Sequence, residues 1–244
     1  MEKSGAQNES SSPEAIELAQ FKGPHVAVDV ALLTVVPGKT TREFQLAFLL
    51  HKRQDGLARG EWALPGRMVR ERERLEDSVK IALYEKCGID GVDPIQLHIF
   101  DNPARDARGW VMSVAYLAIE RVEIVIDALE KNKTLDLGYL RPGSDIKLVL
   151  PNGQVELPFE QGAIVERSVK ALRQRYASRP DPSRLLSSKF TMHQLRKVHE
   201  AIAGQDIDKD KFRRRMEPLL VPIDSLSSGS VGKPAQLFKR KSRS

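Results

Sequence analysis

In the first half of the chain, the side chains whose type and spacing can do chemistry are the carboxylates Glu73 and Glu85 and the arginine pair Arg105 and Arg108. Leu75 to Lys86 has the apolar periodicity of an amphipathic helix, with Val79 and Leu83 facing a core. Positions 82, 85 and 86 are spaced i, i+3, i+4 and so share one face of that helix. Carboxylates gathered on such a face hold Mg²⁺, a hard cation that neutralises a phosphate group under attack by water. This chain instead presents Ala82, Glu85 and Lys86, a methyl group, one carboxylate and an ammonium. The ammonium repels a metal ion, and the helix's one further Asp or His, Asp77, lies two turns away on another face. Arg105 and Arg108 flank Asp106 and can clamp a diphosphate through bidentate donors, or the Arg-Asp-x-Arg turn can be closed by its own Asp106. Trp62 and Trp110 can stack on an adenine or pack at the ends of strands.

The elements around these residues repeat a known order. Val26 to Val36 reads as a buried strand ending at Pro37-Gly38, a hairpin-like turn follows, and Phe44 to Leu50 is a second strand running into His51-Lys52-Arg53. After the loop Asp55 to Gly60 come Trp62-Ala63-Leu64-Pro65-Gly66 and the segment GRMVRERERLEDSVKIALYEKCGI, residues 66 to 89. This segment resembles the Nudix box, G-x5-E-x7-R-E-U-x-E-E-x-G-U with U aliphatic. It keeps Glu73, Leu83, Glu85, Gly88 and Ile89, but has Arg67 for the first glycine, Ile81 for the arginine, Ala82 for the first helix glutamate and Lys86 for the third. Arg105-Asp106-Ala107-Arg108-Gly109-Trp110, with the strand Val111 to Ile119 behind it, resembles the RDPRG signature of one Nudix subgroup, with Ala107 in place of proline. The resemblance covers roughly residues 24 to 120 and implies a Nudix fold, an α/β/α sandwich with a mixed sheet, whose metal face has lost two of three glutamates. Further strands are expected at Ile95 to Phe100 and Val111 to Ala118, and a hairpin over Arg141 to Pro151.

Charge divides the chain. Residues 158 to 244 hold nineteen Lys or Arg against nine Asp or Glu, while residues 1 to 157 hold twenty against twenty-four. A basic excess confined to one end points to a polyanion-binding segment joined to a roughly neutral domain. Phe159 to Tyr176 has helical spacing, broken at Ser178 to Pro182. Thr191 with Gln194 forms a capping box for a helix that stops at Gly204, and Asp208 can cap a second helix, Lys209 to Leu219. Helix, short turn and basic second helix form a helix-turn-helix, in which the second helix reads the major groove. Leu220 to Ile223 and Ala235 to Lys239 supply two strands of a wing, with Lys233 at its tip or returning strand. Candidate DNA contacts are therefore Lys209, Lys211, Arg213, Arg214, Arg215, Lys233, Gln236 and Lys239. A helix steps 100° per residue, so the three arginines cannot all face one groove, and one of them can pair with Glu217. Thr191, His193 and Gln194 are placed to position phosphate, with an idle exposed side chain an equal alternative for His193.

A Nudix-like domain followed by FTMHQLRKVHEAIAG, an FRRR helix and GKPAQLFKR is similar to the Nudix-related transcriptional regulators of NAD metabolism. That resemblance implies a homodimeric repressor on palindromic, double-stranded operator DNA near NAD-biosynthesis genes. It also implies a catalytically silent Nudix domain, with no metal and no cofactor, that senses ADP-ribose or a related NAD derivative. Arabinose-responsive relatives share the architecture, so the effector does not follow from the fold. The ligand contacts it implies are Arg105, Asp106, Arg108, Glu73, Glu85, Trp62 and Trp110. The expected organisation is a disordered tail over 1–20, an effector-sensing domain over 21–157, a linker helix over 158–180 and a winged helix-turn-helix over 181–244. The alternative is a Nudix pyrophosphatase acting on ADP-ribose or a related dinucleotide through an altered metal site at Glu73, Glu76 and Glu85. No apolar run is long enough to span a bilayer and no signal pattern opens the chain, so a cytoplasmic location is expected. The lone Cys87 excludes an internal disulfide framework and a cysteine-type zinc site, and reads as a small packed residue.

Overall fold

The computed structural model describes residues 22–38, 44–141, 146–151, 153–226 and 235–241. The expected tail over 1–20, the centre of the turn after Pro37, the Pro142-Gly143 turn and Lys233 lie outside the described residues. The chain runs β1 (His25–Pro37), β2 (Phe44–Lys52), β3 (Trp62–Ala63), β4 (Gly66–Met68), α1 (Leu75–Cys87), β5 (Ile95–Phe100), β6 (Val111–Ile119), α2 (Val122–Lys131), β7 (Leu135–Leu140), β8 (Leu148–Leu150), β9 (Gly153–Val155), α3 (Gln161–Tyr176), β10 (Phe190–Thr191), α4 (Met192–Ala203), α5 (Lys209–Met216), a 3-10 turn (Glu217–Leu219), β11 (Leu220–Leu226) and β12 (Gln236–Arg240).

The large sheet has the order β5-β6-β1-β2-β7-β8-β9, with β3 on β2 and β4 on β1. The β1–β6 pair is parallel and the other pairs are antiparallel, so the sheet is mixed. Its central strands are buried on both faces, which explains their nearly unbroken Val/Leu/Ala runs. One face packs Val28, Val30, Leu32 and Leu49 against Val79 and Leu83 of α1 and Val125 and Ala128 of α2. The other packs Leu33, Leu46, Phe48 and Leu50 against Ile164, Val165, Val169 and Leu172 of α3 and Val198 and Ile202 of α4. A third, smaller core of Phe190, Leu195, Phe212, Met216, Leu220 and Phe238 holds the winged half, where β10, β12 and β11 form a three-stranded sheet. The expected α/β/α sandwich with a winged helix-turn-helix behind it is the architecture that forms.

Three local differences have physical reasons. Val122–Lys131 is a helix where none is expected: its β-branched VEIVI start favours strand, yet only Val125 and Ala128, one turn apart, are buried, while Ile124 and Ile126 face outward. The helix expected from Phe159 begins at Gln161, because Phe159 and Glu160 sit at φ of 57° and 61°. The second helix of the helix-turn-helix ends at Met216 rather than Leu219, since Pro218 cannot donate to the helix ladder and the chain tightens into the 3-10 turn.

Candidate ligand cleft and nucleic-acid interface

β4 and α1 carry the remains of the Nudix box. Gly66 pairs with Asp29 across β1, and a Cβ there would stand 2.6 Å from the Val28 carbonyl oxygen, so only glycine permits this approach. Next to it, Arg67 stands between the two carboxylates that survive from the box. Its Nη1 donates to Glu73 Oε1 at 2.6 Å and its Nε lies 4.0 Å from Glu85 Oε2, with the Arg67 side chain only 9% exposed. Glu73 also accepts from the Arg70 backbone N–H at 2.9 Å. That bond first, with Arg67 adding to it, holds its carboxyl below the usual range. Ala82 is fully buried, so the position of the first helix glutamate points into the core. Among the described residues no group of three His, Cys, Asp or Glu side chains could hold a metal, so Glu73, Glu76 and Glu85 do not gather as the pyrophosphatase alternative requires. The residues present do not fit Mg²⁺.

On β2 beside α1, His51 is 6% exposed, and its pKa is lowered to about 4 by burial and then by the Lys86 and Arg53 cations. Cys87 is buried and its thiol is pushed up to about 12 by burial, so it packs rather than reacts. Arg108 donates to Asp106 from its backbone N–H, Nε and Nη2 at 3.0, 2.9 and 2.6 Å, which closes the Arg-Asp-x-Arg turn internally. Its side chain stays 47% exposed. Arg105 has a different place: 7% exposed, it donates to the Phe159 carbonyl at 2.8 Å and to Asp29 at 3.4 Å. The two tryptophans also separate, with Trp62 half-buried against the core and beneath Lys52, and Trp110 51% exposed just before β6.

Sequence reasoning missed the group that ties this region together. Asp29, 8% exposed, accepts from Ser113 Oγ at 2.5 Å and from Gln161 Nε2 at 2.7 Å, and Gln161 Oε1 accepts from the Leu64 backbone N–H at 2.8 Å. The signal was present: a carboxylate inside the apolar run VAVDVALL must find partners or not be there.

In the winged half, the Thr191–Gln194 capping box forms, and Asp208 caps α5 through the Lys211 backbone N–H at 2.7 Å. Glu200 pins the turn between α4 and α5, accepting from the Ile207 N–H at 3.1 Å and pairing with Arg196 and Lys197. Phe212 and Met216 seat α5 in the core, which leaves Asp210 and Arg214 on its outer side and Lys209, Lys211, Arg213 and Arg215 on the flanks. Arg213 is held by Glu217 through two bonds of 2.9 Å, and Arg215 lies 5.9 Å over the Phe212 ring. Arg214 has no ion-pair partner among the described residues. Thr191 lies opposite Leu237 of β12, which brings the start of α4 beside the wing strand carrying Gln236 and the exposed Lys239. Gln236 itself donates to the Ile223 and Leu237 carbonyls.

A sequence model of the NrtR DNA-binding winged helix domain matches residues 182–239. The crystal structure of Shewanella oneidensis NrtR complexed with a 27mer DNA superposes with a TM-score of 0.71 at 30% identity, covering 88% of this chain and 93% of that one. The chain belongs to the NrtR family. The ADPR-responsive transcriptional repressor NtrR of Acinetobacter baylyi is 28% identical over 236 residues, 93% of this chain and 88% of the relative. A MutT/nudix family protein of Enterococcus faecalis superposes with a TM-score of 0.73 at 26% identity, over 96% of this chain and 95% of that one. The NrtR architecture, a Nudix-like mixed sheet followed by a winged helix, is thus carried over nearly the whole chain.

Proposed function

We propose that this chain is a transcriptional repressor that binds operator DNA through its winged half and senses ADP-ribose, or a related NAD derivative, in a Nudix cleft without hydrolytic activity. The observation that carries the reading is Arg67, a partly buried guanidinium between the two surviving box carboxylates that supplies internally the positive charge that a metal would bring. With Lys86 in place of the third helix glutamate and Ala82 turned into the core in place of the first, the region is suited to holding a diphosphate and unsuited to cleaving it. The A. baylyi relative's response to ADPR and the S. oneidensis complex with DNA support the effector and the duplex as partners.

In this reading Arg108 contacts the ligand directly, while Arg105 and Asp106 act by holding its loop in place. Glu73 and Glu85 fix Arg67, and Trp110 offers an exposed ring for a base while Trp62 packs against the core. On the DNA side Arg214, Lys209, Lys211 and Lys239 face the duplex, Arg213 and Arg215 lie beside it, and Thr191, His193, Gln194 and Gln236 order the backbone near the wing. The protein acts as a homodimer on a palindrome near NAD-biosynthesis genes, in the cytoplasm; among the described residues no helix is long and apolar enough to cross a membrane. The test pairs two assays on one preparation. Incubation with ADP-ribose and Mg²⁺ or Mn²⁺ should leave the ligand intact, and a gel shift should give a discrete complex with duplex selected from a random pool. Rapid ADP-ribose cleavage without any selected duplex would favour the pyrophosphatase.

A further inference from the structure

Side chains from β1, the end of β2 and the loop before β6 converge on Phe159, Glu160 and Gln161, at the start of α3. Phe159 and Glu160 hold φ of 57° and 61°, a left-handed conformation that bulky residues keep only when their surroundings impose it. The surroundings are specific. Arg53, at the end of β2, and Arg108, in the loop before β6, both lie over the Phe159 ring, at 5.1 and 5.5 Å from its centroid. From the same loop Arg105 donates to the Phe159 carbonyl, and Asn102 donates to Glu160 at 3.4 Å. Arg105 Nε also lies 3.4 Å from Glu160 Oε2, but this pair is not aligned as a hydrogen bond. Gln161 is fastened to Asp29 and Leu64.

The far end of α3 meets the DNA-reading helices. Arg173 donates to the Ile202 carbonyl of α4 at 3.0 Å, and Tyr176 packs edge-on against His199 of α4, which packs in turn against Phe212 of α5, with ring centroids 5.1 and 4.9 Å apart. α3 therefore touches the cleft with its first turn and the helix-turn-helix with its last. The sequence itself favours a longer helix, since helical spacing runs from Phe159 and Pro158 suits a first helical position. The left-handed pair is thus held against the helical preference of its own sequence.

We propose, resting on the ligand reading above, that Phe159–Glu160 is a ligand-operated latch and that Arg53 is a ligand contact alongside Arg108. A diphosphate that draws both guanidiniums off the Phe159 ring removes two of the four contacts that hold the pair out of the helix, and leaves only the Arg105 and Asn102 hydrogen bonds against the helical preference of the sequence. Phe159 and Glu160 then join α3, lengthening it by two residues, about 3 Å along the axis, and α4 and α5 receive the displacement. Cation–π contact is weak enough at a part-exposed site to yield to a charge-assisted bond with phosphate.

The test uses the full chain, ADP-ribose as ligand and a duplex selected from a random pool, comparing wild type with Phe159→Leu, which keeps an apolar side chain and removes the aromatic face. The variant should bind ADP-ribose within about twofold of wild type, while the factor by which ADP-ribose changes DNA affinity falls toward one. A variant that couples as strongly as wild type overturns the latch and leaves the ligand reading standing. A wild type that binds no ADP-ribose overturns that reading and the latch with it. Hydrogen exchange of wild-type residues 159–164 gives a second measure that needs no variant: protection should rise on adding ADP-ribose, and unchanged protection overturns the proposal.

Discussion

Arg67 donates to Glu73 at 2.6 Å and stands 4.0 Å from Glu85, so adding carboxylates to α1 does not by itself rebuild a metal site. The double substitution Ala82→Glu and Lys86→Glu should stay inactive toward ADP-ribose with Mg²⁺, and should also lose stability, because position 82 is fully buried. Adding Arg67→Gly should give the first measurable AMP release. Turnover by the unmodified chain that Glu85→Gln abolishes would contradict this account of the cleft. Two buried histidines set a second prediction. His199 is held to about 4 by burial first and then by Arg215, against an opposing pull from Asp181, and His51 is likewise held to about 4. Both prefer to be neutral in the folded state, so the stability tied to them is complete above an unfolded value of 6.5 and is lost as pH falls from there toward 4. Each accounts for about 3 kcal/mol across that window. Urea unfolding at about pH 7.5 and about pH 5 should show a steep loss that His199→Phe roughly halves. The departures of Arg67 and Lys86 from the box were legible in the sequence. The burial of Ala82 was not, because periodicity shows that a helix has an inner face without fixing which flanking residue the sheet covers.

Asp181 shows what a single connecting residue does for neighbouring elements. Its side chain accepts from Tyr176 Oη at the end of α3 at 2.8 Å, from the N–H groups of Leu185 and Leu186 at 2.9 and 3.0 Å, and from Arg240 of β12. Asp181→Ala leaves Arg240 without its carboxylate and three donors unsatisfied, and should lower stability by roughly 3 kcal/mol, read as a shift in the urea midpoint. On α5, among the described residues, Arg213 is held by Glu217 and Arg215 by the Phe212 ring, while Arg214 has no ion-pair partner. Arg214→Ala should therefore cost roughly 1–3 kcal/mol in DNA affinity and relax sequence preference, with Arg213→Ala milder. Equal losses in footprinting titrations of the two variants would count against that assignment. The capping box at Thr191 and the cap at Asp208 were readable because their spacing is local. The short strand β10 was not, because two residues carry no period and Phe190–Thr191 pairs with β12 more than forty residues away. The start of α3 was misplaced for a similar reason: contacts from Arg53, Asn102, Arg105 and Arg108 hold Phe159 and Glu160 out of a helix that their own sequence favours.

At the scale of the whole molecule the charge divides near residue 158 but the packing does not. Val198 and Ile202 of α4 share a core with Phe48, Leu50 and α3, so the helix-turn-helix is seated on the sheet whose strands carry the cleft. Charge asymmetry and motif order made the two halves visible in the sequence. Their shared core was not, since contacts between residues 150 positions apart leave no trace in local pattern. The consequence is thermodynamic: a ligand at the cleft and a duplex at the winged half act on one packed unit, and any coupling between them must be reciprocal. The most direct measurement is the affinity of the full chain for its selected duplex, by fluorescence anisotropy with and without saturating ADP-ribose in Mg²⁺ buffer, with the ligand recovered and assayed afterward. The account predicts a shift of roughly 5–150-fold with the ADP-ribose recovered intact. Identical DNA affinity in the two conditions, or ADP-ribose recovered as cleavage products, would contradict it.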